Sequence, residues 1–361
     1  MAEAGKQYLG ATGPVKAAHA VDVARLEAYL SGAIEGFEGP LTIRQFEGGQ
    51  SNPTYRLDTP GASYVLRRKP PGVLQPSAHA VDREYRVMTA LTAAGFPVAR
   101  PRVLCADETI AGTMFYVMDF VEGRVFWDPL MPDLEPADRR AVLEAAVDRL
   151  ADLHALDPAA LGLSDYGRPG SYFERQVARW SRQYREIAPD PLPEMLALID
   201  WLPANIPDDP SSALVHGDYG VHNLLLHSSK PDVLAVLDWE LSTLGHPVSD
   251  LFYFLIPWYR PDLDDGRSSF RGLDFAATGL PTEQELIDRY VRRLGRPPIV
   301  GAPFYRAFNL FRAAGIGEGI VARARQGNAA ANDAESFAES VVAYARAGWA
   351  IAERAGKGDL P

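Results

Sequence analysis

The hydrophobic pattern of this 361-residue chain changes period near residue 121, and that change limits the architectures open to it. Before it, short apolar or alternating runs are separated by Gly, Pro and Asn, as in antiparallel strands. "LTIRQF" (41–46) leads into "EGGQSNP", then "TYRLD", the turn "TPGA" and "SYVLRR" (63–68). The spacing next predicts a helix in "AHAVDREYRVMTALTAAG", with Val81, Tyr85, Met88 and Leu91 on the core side and Gly95 at the end. Two more strands are expected around "RVLCA" and "TMFYVMDFV". After "VEGRVF" the period turns helical: Pro136 opens a stretch with Leu143, Val147, Leu150 and His154 along one side. Further helices are expected at 172–187, 194–202, 248–257, 282–294, 303–325 and 335–354, with one small β patch at 213–239. The coarse reading is an α+β chain, with a β-rich N-terminal lobe at 1–121 and a helical C-terminal lobe at 122–361. A ligand cleft at such a junction is the default expectation.

Composition narrows the function classes. The formal charge is −11, from 36 basic and 47 acidic side chains. That balance argues against non-specific binding to nucleic acid or to an anionic membrane, which needs basic patches, but leaves room for a small phosphorylated ligand. Cys105 is the single cysteine, so neither an intrachain disulfide nor a thiolate zinc site can form. The first residues lack the apolar core of a signal peptide, and "LFYFLIPWY" (251–259) is too short to span a bilayer. A cytoplasmic protein is expected.

The densest chemistry lies in "ALVHGDYGVHNLLLH" (213–227), which carries His216, Asp218, His222 and Asn223 among apolar neighbours. "NLLLH" and "VLAVLDW" read as two strands joined by the loop "SSKPD". Residues equidistant from a hairpin loop lie opposite each other, which places Asn223 beside Asp238 with Asp218 just upstream. Two carboxylates and an amide oxygen suit a hard cation such as Mg²⁺, and one carboxylate can accept a proton from a hydroxyl. The His-x-Asp-(four residues)-Asn spacing matches the catalytic-loop pattern of protein kinases. A zinc site from His216, Asp218 and His222 matches no recognised spacing. A loop in which Asp218 and Asn223 bond their own backbone is the plain alternative.

A phosphoryl-transfer site also needs a phosphate cradle and a cation. In "EGGQSN", Gly48 and Gly49 would let the backbone approach a phosphate, although the pair is equally a hairpin turn. Arg67 lies on the next strand, and Glu84 sits three residues after Val81 and four before Met88, partly inward. Together they suggest an ion pair; a surface salt bridge is the alternative. "FYVMDFVEG" would present backbone groups at the lobe junction.

Taken in order, "GGQSNPTYRL", "YVLRRKPPG", "REYRVMTAL", "FYVMDFVEG", "LVHGDYGVHNLLL" and "VLDWELSTLGHPVSDLFYF" resemble the aminoglycoside phosphotransferase and choline kinase-related family. The resemblance implies a two-lobed protein-kinase-like fold and an ATP- and Mg²⁺-dependent transfer to a small-molecule hydroxyl. It implies Asp218 as base, Asn223 and Asp238 as Mg²⁺ ligands, and Gly48, Gly49, Ser51 and Asn52 at the nucleotide. Glu84 would pair with a phosphate-contacting Arg67, where family members often have Lys. The Asp119 carbonyl and Val121 amide would contact adenine, and Asp250 would brace the catalytic loop. Trp239 and Glu240 after Asp238, in place of Phe-Gly, suit small-molecule kinases.

"SNPTY…LRRKPPG…HGDY" resembles a subgroup whose kinase-like domain is fused to acyl-CoA dehydrogenases in some eukaryotes. No flavin-site pattern is present, and the implied acceptors are hydroxyacyl compounds, possibly as CoA thioesters, rather than antibiotics. A catalytically silent nucleotide-binding or scaffold protein with the same fold is the rival reading. "RPDLDDGRSSFRGLD" (260–274) is a candidate substrate loop; it mixes acids with Arg260, Arg267 and Arg271, and the arginines suit an anionic substrate as well. A solvated loop is its plain alternative. Tyr305, Asn309, Arg312 and Glu318 either line the pocket or pack the core.

Overall fold

The computed structural model describes residues 10–47, 52–71, 80–168, 170–325 and 334–358. The chain divides into two compact units. The first comprises Met1–Trp127, Ala159–Leu163 and His222–Ser242, and the second Asp128–Pro158, Ser164–Val221 and Thr243–Pro361.

An antiparallel sheet organises the first unit. Its strands are β1 (Thr12–Gly13), β2 (Thr42–Phe46), β3 (Thr54–Asp58), β4 (Ser63–Arg68), β5 (Pro101–Cys105) and β6 (Phe115–Asp119), in the order β1-β2-β3-β4-β6-β5. The helices are α1 (Val23–Ala33), α2 (Val81–Ala93) and the short α3 (Glu108–Ala111). "TPGA" closes β3 onto β4, with the Thr59 amide donating to the Ala62 carbonyl at 2.9 Å. Side chains alternate across a strand, so Tyr64 and Leu66 of β4 face one way and Val65 and Arg67 the other. Tyr64 and Leu66 join Tyr55, Leu57, Phe115 and Val117 in a core with Leu26 and Leu30 of α1. Each such side chain stabilises the fold by about 1.5–3 kcal/mol on leaving water. Arg67 therefore stands on the opposite face, level with Thr54 on β3 and Tyr116 on β6.

Within α2, Val81, Glu84, Val87, Met88 and Leu91 are buried, so Glu84 faces fully inward among apolar neighbours. Gly95, in the left-handed region, ends the helix, and the Phe96 amide bonds back to the Leu91 carbonyl at 3.0 Å.

Strand β7 (Ala213–Val215) belongs to the second unit, while β8 (Leu224–Leu226) and β9 (Val233–Val236) form a hairpin in the first. The hairpin register differs from the equidistance expectation. Leu224 pairs with Val236 and Leu225 with Ala235, and a bulge then pairs Leu226 with Val233. At the open end the Leu237 amide donates to the Asn223 carbonyl at 2.8 Å, so Asn223 faces Leu237 rather than Asp238. The His227 amide donates to the Asp232 carbonyl at 2.9 Å, which centres the loop between Ser229 and Lys230, earlier than expected, and the extra residue of the bulge, Leu234, recovers only part of that offset. Gly123 crosses the hairpin so closely that a Cβ there would lie 2.6 Å from the Leu226 carbonyl oxygen. Arg124 and Leu226 exchange two backbone hydrogen bonds of 2.8 Å beside it.

The second unit is mainly helical. It contains α4 (Pro136–His154), α5 (Tyr172–Ile187) and α6 (Pro193–Ala204), then β10 (Thr243–Gly245), antiparallel to β7. There follow α7 (Val248–Phe254), α8 (Ile256–Tyr259), α9 (Phe275–Thr278), α10 (Glu283–Leu294), α11 (Ala302–Arg325) and α12 (Ala334–Gly356). The single helix expected at 248–257 is broken into α7 and α8, because Pro257 has no amide proton with which to continue the helical ladder. Val142, Leu143, Ala146, Val147, Leu150 and Leu153 make α4 a core helix, and the buried β7 delivers the chain into residues 216–218. Among the described residues no helix is long and apolar enough to cross a membrane.

Candidate active site

In the first unit the sequence-derived cation and its partner meet. Arg67 Nε lies 3.2 Å from Glu84 Oε2, and Arg67 Nη2 lies 3.1 Å from both Asp238 Oδ1 and Glu240 Oε2. Tyr116, level with Arg67 on the adjacent strand, donates from its hydroxyl to Glu84 Oε2 at 3.0 Å. Asn52 Nδ2 bridges Glu84 Oε1 and Glu240 Oε2, each at 3.3 Å. One guanidinium thus serves three carboxylates, leaving an excess of negative charge. Burial pushes the Glu84 carboxyl up from its ordinary 4.5 to about 7; Arg67 opposes this, and Asp238 adds to it. The same three acids, Glu84 foremost, hold the Arg67 guanidinium charged against the opposing effect of its burial. The causes differ: burial raises Glu84 with only one shared cation to oppose it, while the surrounding acids outweigh burial at Arg67.

Asp238 has a φ of 61°, a left-handed conformation that short polar side chains tolerate. Trp239 anchors this turn, with its ring buried against Phe96 and its Nε1 donating to the Val236 carbonyl at 3.0 Å. The Asp238 side chain is left 41% exposed, so water and ions reach it. Asn223 lies at the base of the same hairpin, opposite Leu237. Asp119 ends β6 with its carboxylate held by Arg102 at 2.6 and 2.8 Å, and Val121 follows in irregular chain. Gly48, Gly49 and Ser51 lie outside the described residues.

In the second unit the loop carrying Asp218 is fixed from several sides. The Asp250 carboxylate accepts the amides of His216 at 2.6 Å and Gly217 at 2.9 Å. His154 Nε2 lies 3.4 Å from Asp250 Oδ2, and its Nδ1 lies 2.6 Å from the Tyr290 hydroxyl. Burial alone would raise the Asp250 carboxyl, but the bond to His154, the His154 and His216 charges and the Gly217 amide bring it below its ordinary value. Gly217 has a φ of 88°, a conformation a side chain would strain. His216 is fully buried, and its Nδ1 accepts the Asp218 amide at 3.2 Å, so this histidine shapes the loop. Arg312 Nη2 donates to the Gly217 carbonyl at 2.7 Å. Tyr305 and Asn309 are buried within α11, Tyr305 packing against Phe173 and Phe252. Glu318 pairs with Arg325 at 3.0 Å.

A sequence model described as the phosphotransferase enzyme family matches residues 42–286. The chain belongs to that family. Among solved structures it is 44% identical to a candidate aminoglycoside phosphotransferase from Ralstonia eutropha, with a TM-score of 0.85 over 93% of this chain and 99% of the other. That likeness makes the α+β arrangement described above the kinase-like fold of aminoglycoside phosphotransferases. An aminoglycoside phosphotransferase solved with ADP and hygromycin B shares the fold at 16% identity and a TM-score of 0.57, over 89% of this chain and 98% of the other. Curated relatives include acyl-CoA dehydrogenase family member 11 of Gallus gallus, 43% identical over 95% of this chain, and member 10 of Mus musculus, 40% identical over 96%. The chain spans only 45% and 32% of those proteins' respective lengths.

Within this phosphotransferase-family chain, sequence reasoning assigned no role to Glu240, Tyr116, His154 or Tyr253. Glu240 was legible as an acid two residues after Asp238. Tyr116 was legible as an aromatic level with Arg67 once β4 and β6 are paired. The His154–Tyr290 contact, across 136 residues, left no local signal.

Proposed function

We propose that the chain is an ATP- and Mg²⁺-dependent phosphotransferase acting on a hydroxyl group of a small molecule. The observation that carries this reading is Arg67 held by Glu84 on a buried face while its other nitrogen reaches the solvent-accessible Asp238. A structural ion pair needs only Glu84; the added, half-buried Asp238 and Glu240 give an oxygen-rich, negatively charged patch beside a fixed cation. An all-oxygen set of Asp238 and Asn223 fits Mg²⁺, which takes one or two protein ligands and completes its shell with phosphates and water. When bound, that ion neutralises charge on the transferring phosphoryl group.

In this reading residues 1–121 serve as the nucleotide-binding lobe and residues 122–361 carry the catalytic loop and acceptor site. Arg67 contacts phosphate oxygens, and Glu84, Tyr116 and Asn52 keep it from turning away. Gly48, Gly49, Ser51 and Asn52 contribute to the phosphate cradle, and the Asp119 carbonyl and Val121 amide meet the purine edge. Asp218 takes the proton of the acceptor hydroxyl as its oxygen bonds to the γ-phosphorus. The bond from that phosphorus to the β,γ-bridging oxygen breaks, and ADP leaves with the electron pair.

A hydroxyacyl-type or other alcohol acceptor is favoured over an aminoglycoside. Arg312 and Arg267 both act electrostatically on Tyr253, whose hydroxyl bonds Asp218. Both cations suit an acceptor that carries an anionic group.

Calorimetry with ATP, with and without Mg²⁺, tests the nucleotide half; binding that ignores Mg²⁺ would favour a silent scaffold. An ADP-release screen over aminoglycosides, choline, sugars and hydroxyacyl-CoAs tests the acceptor half. Turnover confined to aminoglycosides would refute the acceptor assignment.

A further inference from the structure

Helix α7 carries Tyr253 three residues after Asp250, on the same side of the helix. Its hydroxyl is hydrogen-bonded to the Asp218 carboxylate. Arg312, only 9% exposed on α11, lies over the Tyr253 ring with its guanidinium carbon 4.9 Å from the centroid. The same guanidinium donates to the Gly217 carbonyl, the peptide immediately before Asp218. Arg312 therefore holds both the backbone that carries Asp218 and the ring that reaches its side chain. Asp250 completes the frame from the other side through the amides of His216 and Gly217.

Packing alone does not account for this arrangement. A ring filling space beside Arg312 would need no hydroxyl, and the hydroxyl here meets the one carboxylate assigned to chemistry. Burial, reinforced by the Asp218 charge, raises the Tyr253 hydroxyl far above its ordinary value, so it donates at every working pH. A carboxylate has two oxygens and about four acceptor sites, so one phenol donor leaves an oxygen for an acceptor hydroxyl. Fixing that oxygen within a fraction of an ångström matters, because small misplacements of a reacting group cost large factors in rate.

We propose that Tyr253, itself held by Arg312, is a positioning residue that fixes the rotamer of the Asp218 carboxylate and keeps it ionised. The proposal rests on the reading of Asp218 as base. Among the described residues, Arg312 from α11, Arg267 from the 260–274 segment, Asp250 from α7, Tyr259 from α8 and His216 within the loop face this pair.

Tyr253→Phe and Arg312→Lys in the full chain test it. The readouts are the Asp218 titration, by NMR of γ-carboxyl-labelled aspartates assigned with Asp218→Asn, and kcat and KM for the acceptor across pH. In Tyr253→Phe the carboxylate loses a donor, so its titration and the acid limb of kcat both move up by about one pH unit. The kcat falls by about tenfold, and KM stays within about twofold. Arg312→Lys keeps the charge but not the planar fork, and shifts the titration in the same direction by about half as much. It carries the test alone if the phenylalanine variant does not fold. An Asp218 titration unchanged in a folded variant, or an unchanged kcat, overturns the proposal. A shifted titration in a protein that transfers phosphate to no acceptor supports the coupling and overturns the base assignment instead.

Discussion

Replacing Glu84 with Gln separates two accounts of the Arg67 cluster that predict opposite signs. If the Glu84–Arg67 contact is a stabilising buried ion pair, breaking it costs about 3–5 kcal/mol at neutral pH. The geometry argues otherwise. Arg67 keeps Asp238 and Glu240, each at 3.1 Å, and the site opposes ionisation of Glu84, holding its carboxyl near 7 rather than 4.5. That displacement corresponds to about 3 kcal/mol between the protonated and ionised forms. A carboxyl raised on folding stabilises the protein fully below its unfolded value, and the contribution is lost as pH rises through about 7. Between about pH 8 and about pH 5 this site alone gives the wild type about 2–3 kcal/mol. Gln cannot titrate and nearly matches the protonated acid in shape. The two proteins should therefore be equally stable near pH 5, with Glu84→Gln more stable by about 2 kcal/mol near pH 8. Urea unfolding followed by tryptophan fluorescence and by circular dichroism across this range measures the difference directly. Parallel stability curves, or a variant several kcal/mol less stable at the alkaline end, would refute the reasoning. Function should move the other way: with Arg67 less firmly aimed, MgATP affinity measured by calorimetry should drop by about tenfold.

The other contacts give predictions of the same kind. Arg67→Lys keeps the charge but cannot serve three carboxylates from a planar fork, so MgATP binding should weaken by about 1–2 kcal/mol with little change in melting temperature. Asp250→Asn leaves one of the His216 and Gly217 amides without its acceptor and should cost about 2–4 kcal/mol in urea unfolding. The Asp250 carboxyl is lowered on folding, so its wild-type contribution is present above the ordinary value of 3.8 and lost as pH falls below it. The acid-unfolding midpoint of Asp250→Asn should accordingly lose that dependence.

The parts of the fold legible in the sequence were those written in short-range periodicity. "TYRLD" and "SYVLRR" gave β3 and β4 to the residue, because their alternation and the intervening "TPGA" leave one register. That register put Arg67 on the face away from α1, and the α2 spacing put Glu84 inward, so their meeting was readable from two local patterns. The β8–β9 pairing was misjudged by one residue because the loop centres between Ser229 and Lys230 rather than between Lys230 and Pro231, and the bulge at Leu234 makes good only part of that offset. The helix over 248–257 was read through Pro257 because the apolar run continued across it, yet the missing amide decided the break. Contacts across long stretches of chain, such as Arg312 on Gly217 over 95 residues, are set by tertiary packing and leave no spacing to detect. The candidate role of Asp218 was therefore read from its motif, while the residues that surround it left no such signal.

The central claim is that Asp218 carries phosphoryl transfer in a chain that binds MgATP independently of it. Its most direct test is transfer of labelled γ-phosphate from ATP to an acceptor by wild type and Asp218→Ala, with MgATP affinity measured on both. The account predicts transfer reduced by about a thousandfold or more in the variant, with affinity within about threefold of wild type. Undiminished transfer by Asp218→Ala to the same acceptor would contradict it.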